Sequence, residues 1–248
     1  MKKHDAVLWF LFVIFVAIRM TCRMPYWIIL ALETCGLAVS LLIKTKMPSA
    51  RYVRMSVAFS VISTAAYLGY QRNPWILLYG LRAGIPTLLC SLAVFSVMEK
   101  RGGGPLLLSK SGKHPLMKSI MISLALGGVL SVINFFLSGQ EAAFEFSLWK
   151  VLLSLNPAIY EEMACRAIFF AFCIWHANGK MNVFQKFTTY FMACVPHATV
   201  HGYPLIQTMV LCVLFGLPFA ILQKKRDLTS AMIAHGLVDA VRFTVMGI

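Results

Sequence analysis

PAIYEEMACRAIFF, residues 157–170, sets two adjacent carboxylates and an arginine inside a run that is otherwise apolar. A run of this kind reads as a membrane-spanning helix. Each charge at the centre of such a helix costs about 2.5–3.5 kcal/mol, so Glu161, Glu162 and Arg166 would together cost on the order of 10 kcal/mol if left alone. In an α-helix Glu162 and Arg166, four apart, share one face and can pair. Glu161 is turned about 100° from Glu162 and stands outside that bridge. A plain ion pair therefore accounts for two of the three charges and leaves Glu161 to be explained.

The composition outside this stretch places it in a bilayer. Of 248 residues, 59% are hydrophobic and 13% are charged. Soluble domains hold roughly 45–50% and about 25%. Mean hydropathy is +0.76. No polar stretch is long enough for a separate soluble domain. The 23 Lys and Arg outnumber the 9 Asp and Glu, for a formal charge of +14. That excess falls mainly between apolar runs and is not interleaved with aromatics, which argues against nucleic acid and for topology signals facing anionic lipid. The seven cysteines all lie in or beside apolar runs. Their number is odd and no CxxC pair occurs, so they read as small core residues and not as disulfides or a zinc site. Lys2, Lys3 and the apolar run after them resemble a signal peptide, but Arg19, Met20, Thr21, Cys22 and Arg23 follow where a small-x-small cleavage site belongs. The segment is expected to stay as a first helix.

Runs of spanning length occur at 6–22, 26–43, 55–70, 74–98, 116–137, 148–175, 183–201, 205–222 and 228–248. A span needs roughly 20 apolar residues, so an all-α, polytopic transmembrane bundle of about eight or nine helices is predicted, 55–70 being the short one. Basic residues cluster at Lys2–Lys3, at Lys44, Lys46, Arg51 and Arg54, around 100–118, at Lys180 and Lys186, and at Lys224, Lys225 and Arg226. These alternate with poorer connections, Arg19 and Arg23 being the exception. The alternation predicts a multi-pass cell-membrane protein with a cytoplasmic N-terminus. RGGGP at 101–105 reads as a flexible loop; without a following GK[ST] it is no phosphate loop. No internal repeat, low-complexity tract or lipidation motif is found.

Later spans carry further polar groups. VPHATVH places His197 and His201 four apart, and AHGLVD does the same for His235 and Asp239. At 1.5 Å per residue Glu161 and His197 both lie about 21 Å from the cytoplasmic ends of their helices, His201 about 27 Å, and His235 and Asp239 about 10–16 Å. Depth therefore favours His197 over His201 as the partner of Glu161, and brings His235 alongside only if its helix is tilted. Each group alone has an ordinary reading: a hydrogen-bonded helix contact for a histidine, an ion pair with Arg242 for Asp239. Glu33 and Arg82 also sit in apolar spans. Carboxylates and histidines on three separate spans point instead to a shared interior site. A carboxylate beside a histidine can hold and deprotonate a water, and a second histidine can stabilise a tetrahedral oxyanion. His and carboxylate would suit zinc as well, but no HExxH occurs, and no GxSxG marks a serine nucleophile.

EEMACR is an EExxxR motif, followed by a histidine about one helix later and by HGLVD, an HxxxD. In that order the three resemble the CPBP family of intramembrane proteases, comprising the CAAX prenyl endopeptidases and the bacteriocin-processing or Abi proteins. FGLPFAILQKKRDLTSAMIAHGLVD is similar to the family's last two helices and their basic turn. The resemblance covers about 148–243. It implies that 1–147 supply N-terminal transmembrane helices to a core at 148–248, in one integrated membrane domain. It also implies an endopeptidase acting on a membrane-associated peptide or protein. Glu161 would activate the water, Glu162 and Arg166 would organise it, His197 (or His201 in its place) would help hold it, and His235 with Asp239 would face the oxyanion. No cofactor and no metal is expected. The family's FxxxH is not matched here, since Ala193 precedes His197 by four and His197 precedes His201. Asp239 stands where the family often has Asn. Those departures keep open a non-catalytic membrane immunity or peptide-sensing protein; a transporter would call for repeats that are absent.

Overall fold

The computed structural model describes residues 3–22, 24–68, 75–101, 115–139 and 141–246. Among them are nine helical runs and no strand: α1 Lys3–Cys22, α2 Tyr26–Thr45, α3 Ala50–Leu68, α4 Ile76–Arg101, α5 Leu116–Ser138, α6 148–176, α7 Val183–Val200, α8 Leu205–Lys225 and α9 Leu228–Val245. The helical-bundle expectation holds run for run. The expected third run begins five residues early, because Arg51 and Arg54 lie in the first turns of α3 and not in the loop before it. Long basic stems lie along apolar surface while the heads reach water, so a helix end need not be neutral. The RGGGP loop beyond Arg101, and Lys2, Arg72, Lys110 and Lys113 with it, lie outside the described residues.

By length and composition α2, residues Leu77–Arg101 of α4, α5 and α8 can each cross a membrane. The outer surface agrees with this. Ile43, Leu77, Met121, Phe136 and Ile206 are all more than half exposed. Apolar exposure on that scale suits lipid and not water.

The chain divides into two compact units. The first unit takes residues 1–56, 88–103 and 163–220. Its core includes Leu8, Phe15, Leu30, Leu41, Phe95 and Met192, all buried. The Trp9 ring of α1 lies tilted against Phe191 of α7, with centroids 4.8 Å apart, and donates its indole N–H to Thr188 Oγ1 at 3.2 Å. A buried indole needs such a partner. Asn182 and Gln185 form a reciprocal capping box that starts α7. Cys90, Cys165, Cys173 and Cys194 are buried thiols, and Cys35 and Cys212 are partly buried; none of these six is in a disulfide.

The second unit takes residues 57–87, 104–162 and 221–248. Its central contact is α9 along α5. Gly127 of α5 permits the approach: a Cβ there would stand 2.8 Å from the Ala234 carbonyl oxygen. On another face, a Cβ at Gly236 of α9 would meet Ala158 of α6 at 3.2 Å. Asp227 caps α9, accepting from the Ser230 amide at 2.7 Å. At the other end, the Glu145 and Ala143 amides donate to the Thr244 and Val245 carbonyls at 2.8 and 2.9 Å. Those carbonyls have no partner within the helix, so the incoming chain completes the helix end.

The span that carries the EExxxR motif is not one regular helix. It runs as α-helix over Leu148–Leu153 and Leu155–Tyr160, then as π-helix over Glu161–Ala167, then as α-helix over Ile168–His176. Pro157 has no amide hydrogen for the Leu153 carbonyl, which accounts for the break after Leu153. A second π turn, Cys212–Gly216, interrupts α8 just before Pro218. Single π turns inside α-helices gather at functional sites.

Candidate active site

The π turn decides where the motif's charges point. Its hydrogen bonds run from residue i to i+5, so its side chains are spaced differently around the axis from those of an α-helix. In the second unit both glutamates reach the same imidazole. His235 Nδ1 lies 2.7 Å from Glu162 Oε1, and His235 Nε2 lies 3.4 Å from Glu161 Oε2. Asp239, one turn further along α9, brings Oδ2 to 3.2 Å from the same Nε2. Carboxylates thus stand at both ring nitrogens of one histidine.

This contact also overturns the depth arithmetic, which set His235 some turns shallower than Glu161. The arithmetic took α6 as straight. Only the π turn falls inside the counted stretch, and it shortens that stretch slightly, so His235 meets Glu161 through the placement of α9 that the arithmetic left open. The pairing of Asp239 with Arg242 is likewise not formed: the carboxylate turns along the helix toward His235.

The three carboxylates differ in access. The Glu162 side chain is fully enclosed, that of Asp239 is 10% exposed, and that of Glu161 is 18% exposed. Glu161 is the most exposed of the three. Asn156 is a neighbour that the sequence reading missed. It is buried, and its Nδ2 donates to the Ser63 carbonyl at 2.7 Å, tying α6 to α3. An Asn directly before a Pro inside an apolar run was the available signal, since an unsatisfied amide is costly there.

In the first unit, Arg166 and His197 meet. Arg166 is 1% exposed and is among the largest fully buried side chains. Its Nη2 lies 3.0 Å from His197 Nδ1, and its guanidinium sits over the Phe219 ring at 5.5 Å. A guanidinium can only donate, so His197 Nδ1 accepts and the ring carries its proton on Nε2. The guanidinium orients the ring. His197 is 7% exposed. His201 follows the last turn of α7 as its C-cap, is exposed, and lies parallel to the Tyr203 ring at 5.8 Å. The histidine rings are 5.3 Å apart. The structure therefore buries His197 on an arginine and leaves His201 on the surface.

Both nitrogens of His235 face carboxylates, and Nδ1 of His197 takes an arginine hydrogen bond. Among the described residues no three His, Cys, Asp or Glu side chains are arranged to hold an ion.

Residues 143–241 match the family model described as type II CAAX prenyl endopeptidase Rce1-like. The matched segment begins at the chain that completes the end of α9 and includes EEMACR, both α7 histidines, His235 and Asp239. No curated protein and no solved structure matches the chain. The motif order, the helical bundle and this match agree: over residues 143–241 the chain is similar to the type II CAAX prenyl endopeptidase Rce1-like family.

Proposed function

We propose that the protein is a glutamate-dependent intramembrane endopeptidase that hydrolyses a peptide bond in a membrane-associated peptide or protein. The observation that carries this is the convergence of Glu161, Glu162 and Asp239 on the His235 ring, with Glu161 the most open of the three. Three acids around one imidazole are a costly arrangement for a helix contact in apolar surroundings. They are the groups that acid–base work requires.

In the proposed reaction Glu161 takes a proton from water as the water oxygen bonds to the scissile carbonyl carbon. The carbonyl oxygen becomes an oxyanion. The proton then passes to the leaving nitrogen as the C–N bond breaks, giving an acid and an amine. Glu162 holds His235 through Nδ1, and Asp239 fixes the ring from the Nε2 side. His235 and Asp239 together are assigned to the oxyanion, as the family's motif order implies. His197, held by Arg166 with its proton on Nε2, is assigned to the water on that same motif order. The reading assigns no metal and no cofactor to the reaction. The N-terminus is assigned to the cytoplasm on the distribution of basic residues.

The test is hydrolysis of a membrane peptide by purified wild type and Glu161→Ala. Loss of cleavage with binding retained supports the reading. Binding of peptide by wild type without any cleavage would favour a peptide-sensing protein.

A further inference from the structure

The first unit contains a cavity of about 750 Å³ that the proposed chemistry does not use. Such a volume lies within the range of small-ligand sites. It is bounded by α1, α2 and the end of α6. Leu11, Leu37 and Phe172 give it apolar walls. On α2 its lining recurs at Glu33, Gly36, Ser40 and Lys44, one face of the helix. From Lys44 to Glu33 that face extends about 16 Å along the axis.

The two ends differ. At one end His176 Nδ1 donates to the Phe172 carbonyl at 2.9 Å, so Nε2 is the acceptor. Lys44 Nζ approaches that Nε2 at 3.4 Å and donates to it. The lysine's partner is a neutral ring, and among the described residues no carboxylate pairs with Lys44. Beside His176, Trp175 stacks under Arg101 at 4.5 Å. Tryptophan with basic residues marks the headgroup level of a bilayer. At the inner end stands Glu33, with Oε1 buried and without a hydrogen-bond partner among the described residues. An uncompensated cation at the headgroup level thus opens onto an apolar trough that ends at a carboxyl group.

We propose that this trough binds an anionic phospholipid, with its phosphate on Lys44 and one acyl chain lying over Gly36 and Leu37 as far as Glu33. Charge complementarity selects the occupant: a zwitterionic lipid brings its own cation to a site that already has one. Basic pockets between transmembrane helices at this level take phosphate headgroups. Gly36 leaves the floor open, since a Cβ there would meet nothing within 4 Å. The site is separate from the Glu161–His235 cluster and does not depend on the protein being a protease.

Native mass spectrometry of the full-length, detergent-purified protein tests this, with phosphatidylglycerol and phosphatidylcholine supplied in equal amounts. Wild type is expected to retain phosphatidylglycerol preferentially. Lys44→Ala, an exposed change that leaves the fold intact, should lower the preference about fivefold, the usual effect of one basic residue facing an anionic lipid. Gly36→Leu, whose Cβ would meet nothing within 4 Å, should fill the trough and reduce retention of both lipids. Wild-type preference in Lys44→Ala, or wild-type retention in a Gly36→Leu protein of unchanged helicity, overturns the proposal. So does displacement of bound phosphatidylglycerol by glycerol phosphate at matched concentration, because the acyl trough would then contribute nothing.

Discussion

Glu161→Ala and Glu162→Ala should fail in opposite ways, although the two residues are adjacent and touch the same ring. Glu162 is fully enclosed and lies 2.7 Å from His235 Nδ1. Its removal strands a buried imidazole N–H. Breaking a buried pair by deleting one partner costs about 3–5 kcal/mol. For a chain of this size about 2–4 °C is lost per kcal/mol, so the melting midpoint should fall by about 6–20 °C. Glu161 lies 3.4 Å from Nε2 and is 18% exposed, and Asp239 remains at 3.2 Å from that nitrogen. Its removal should cost about 1 kcal/mol or less, the net value of an ordinary hydrogen bond. Turnover should nevertheless fall by about 10²–10⁴, the contribution of a general base. The assay is thermal unfolding in one detergent, followed by cleavage of a membrane peptide at a temperature where both variants are folded. A Glu161→Ala protein that cleaves near the wild-type rate removes Glu161 as the base. A Glu162→Ala protein that melts within 2 °C of wild type shows that the Glu162–His235 bridge carries no stability.

His197→Ala should lower turnover by about 10²–10⁴, while His201→Ala, on the exposed C-cap, should act mainly on KM; measuring both side by side, a dead His201→Ala with a normal His197→Ala would reverse the assignment. Gly127→Ala should cost about 1–3 kcal/mol by overpacking against the Ala234 carbonyl, and should reduce turnover because His235 is the next residue; unchanged melting and rate would show that α9 yields at no cost. Lys224→Cys should react with a membrane-impermeant thiol reagent only from the cytoplasmic side, and labelling from outside would invert the topology.

The helices were legible because apolar runs of bilayer length, punctuated by basic residues, leave few alternatives. The site residues were legible for a related reason: carboxylates and histidines are rare inside such runs, so Glu161, Glu162, His235 and Asp239 stood out one by one. Their mutual geometry was not legible. A helical wheel at 100° per residue separates Glu161 from Glu162, yet the two converge on one ring because the backbone takes a π turn there. Nothing in the residue types of EEMACR announces that turn. Pro157 announced only a break. Arg51 and Arg54 misled in the other direction, since charge was read as loop where it lies in the opening turns of α3. Asn156 went unremarked because the carboxylates nearby were the stronger signal.

The π turn at Glu161–Ala167 has a consequence for insertions and deletions. It amounts to one residue beyond what an α-helix would need over the same axial length. Removing any residue from 163–165 would let the segment relax into the more stable α form. Every later position of the helix would then be displaced by about 100° around the axis relative to the glutamates. Side-chain chemistry within those three positions is open to drift, but their number is not. A lineage can exchange Met163, Ala164 or Cys165 for other apolar residues, yet a single lost codon there would turn every later side chain of the helix to a new face.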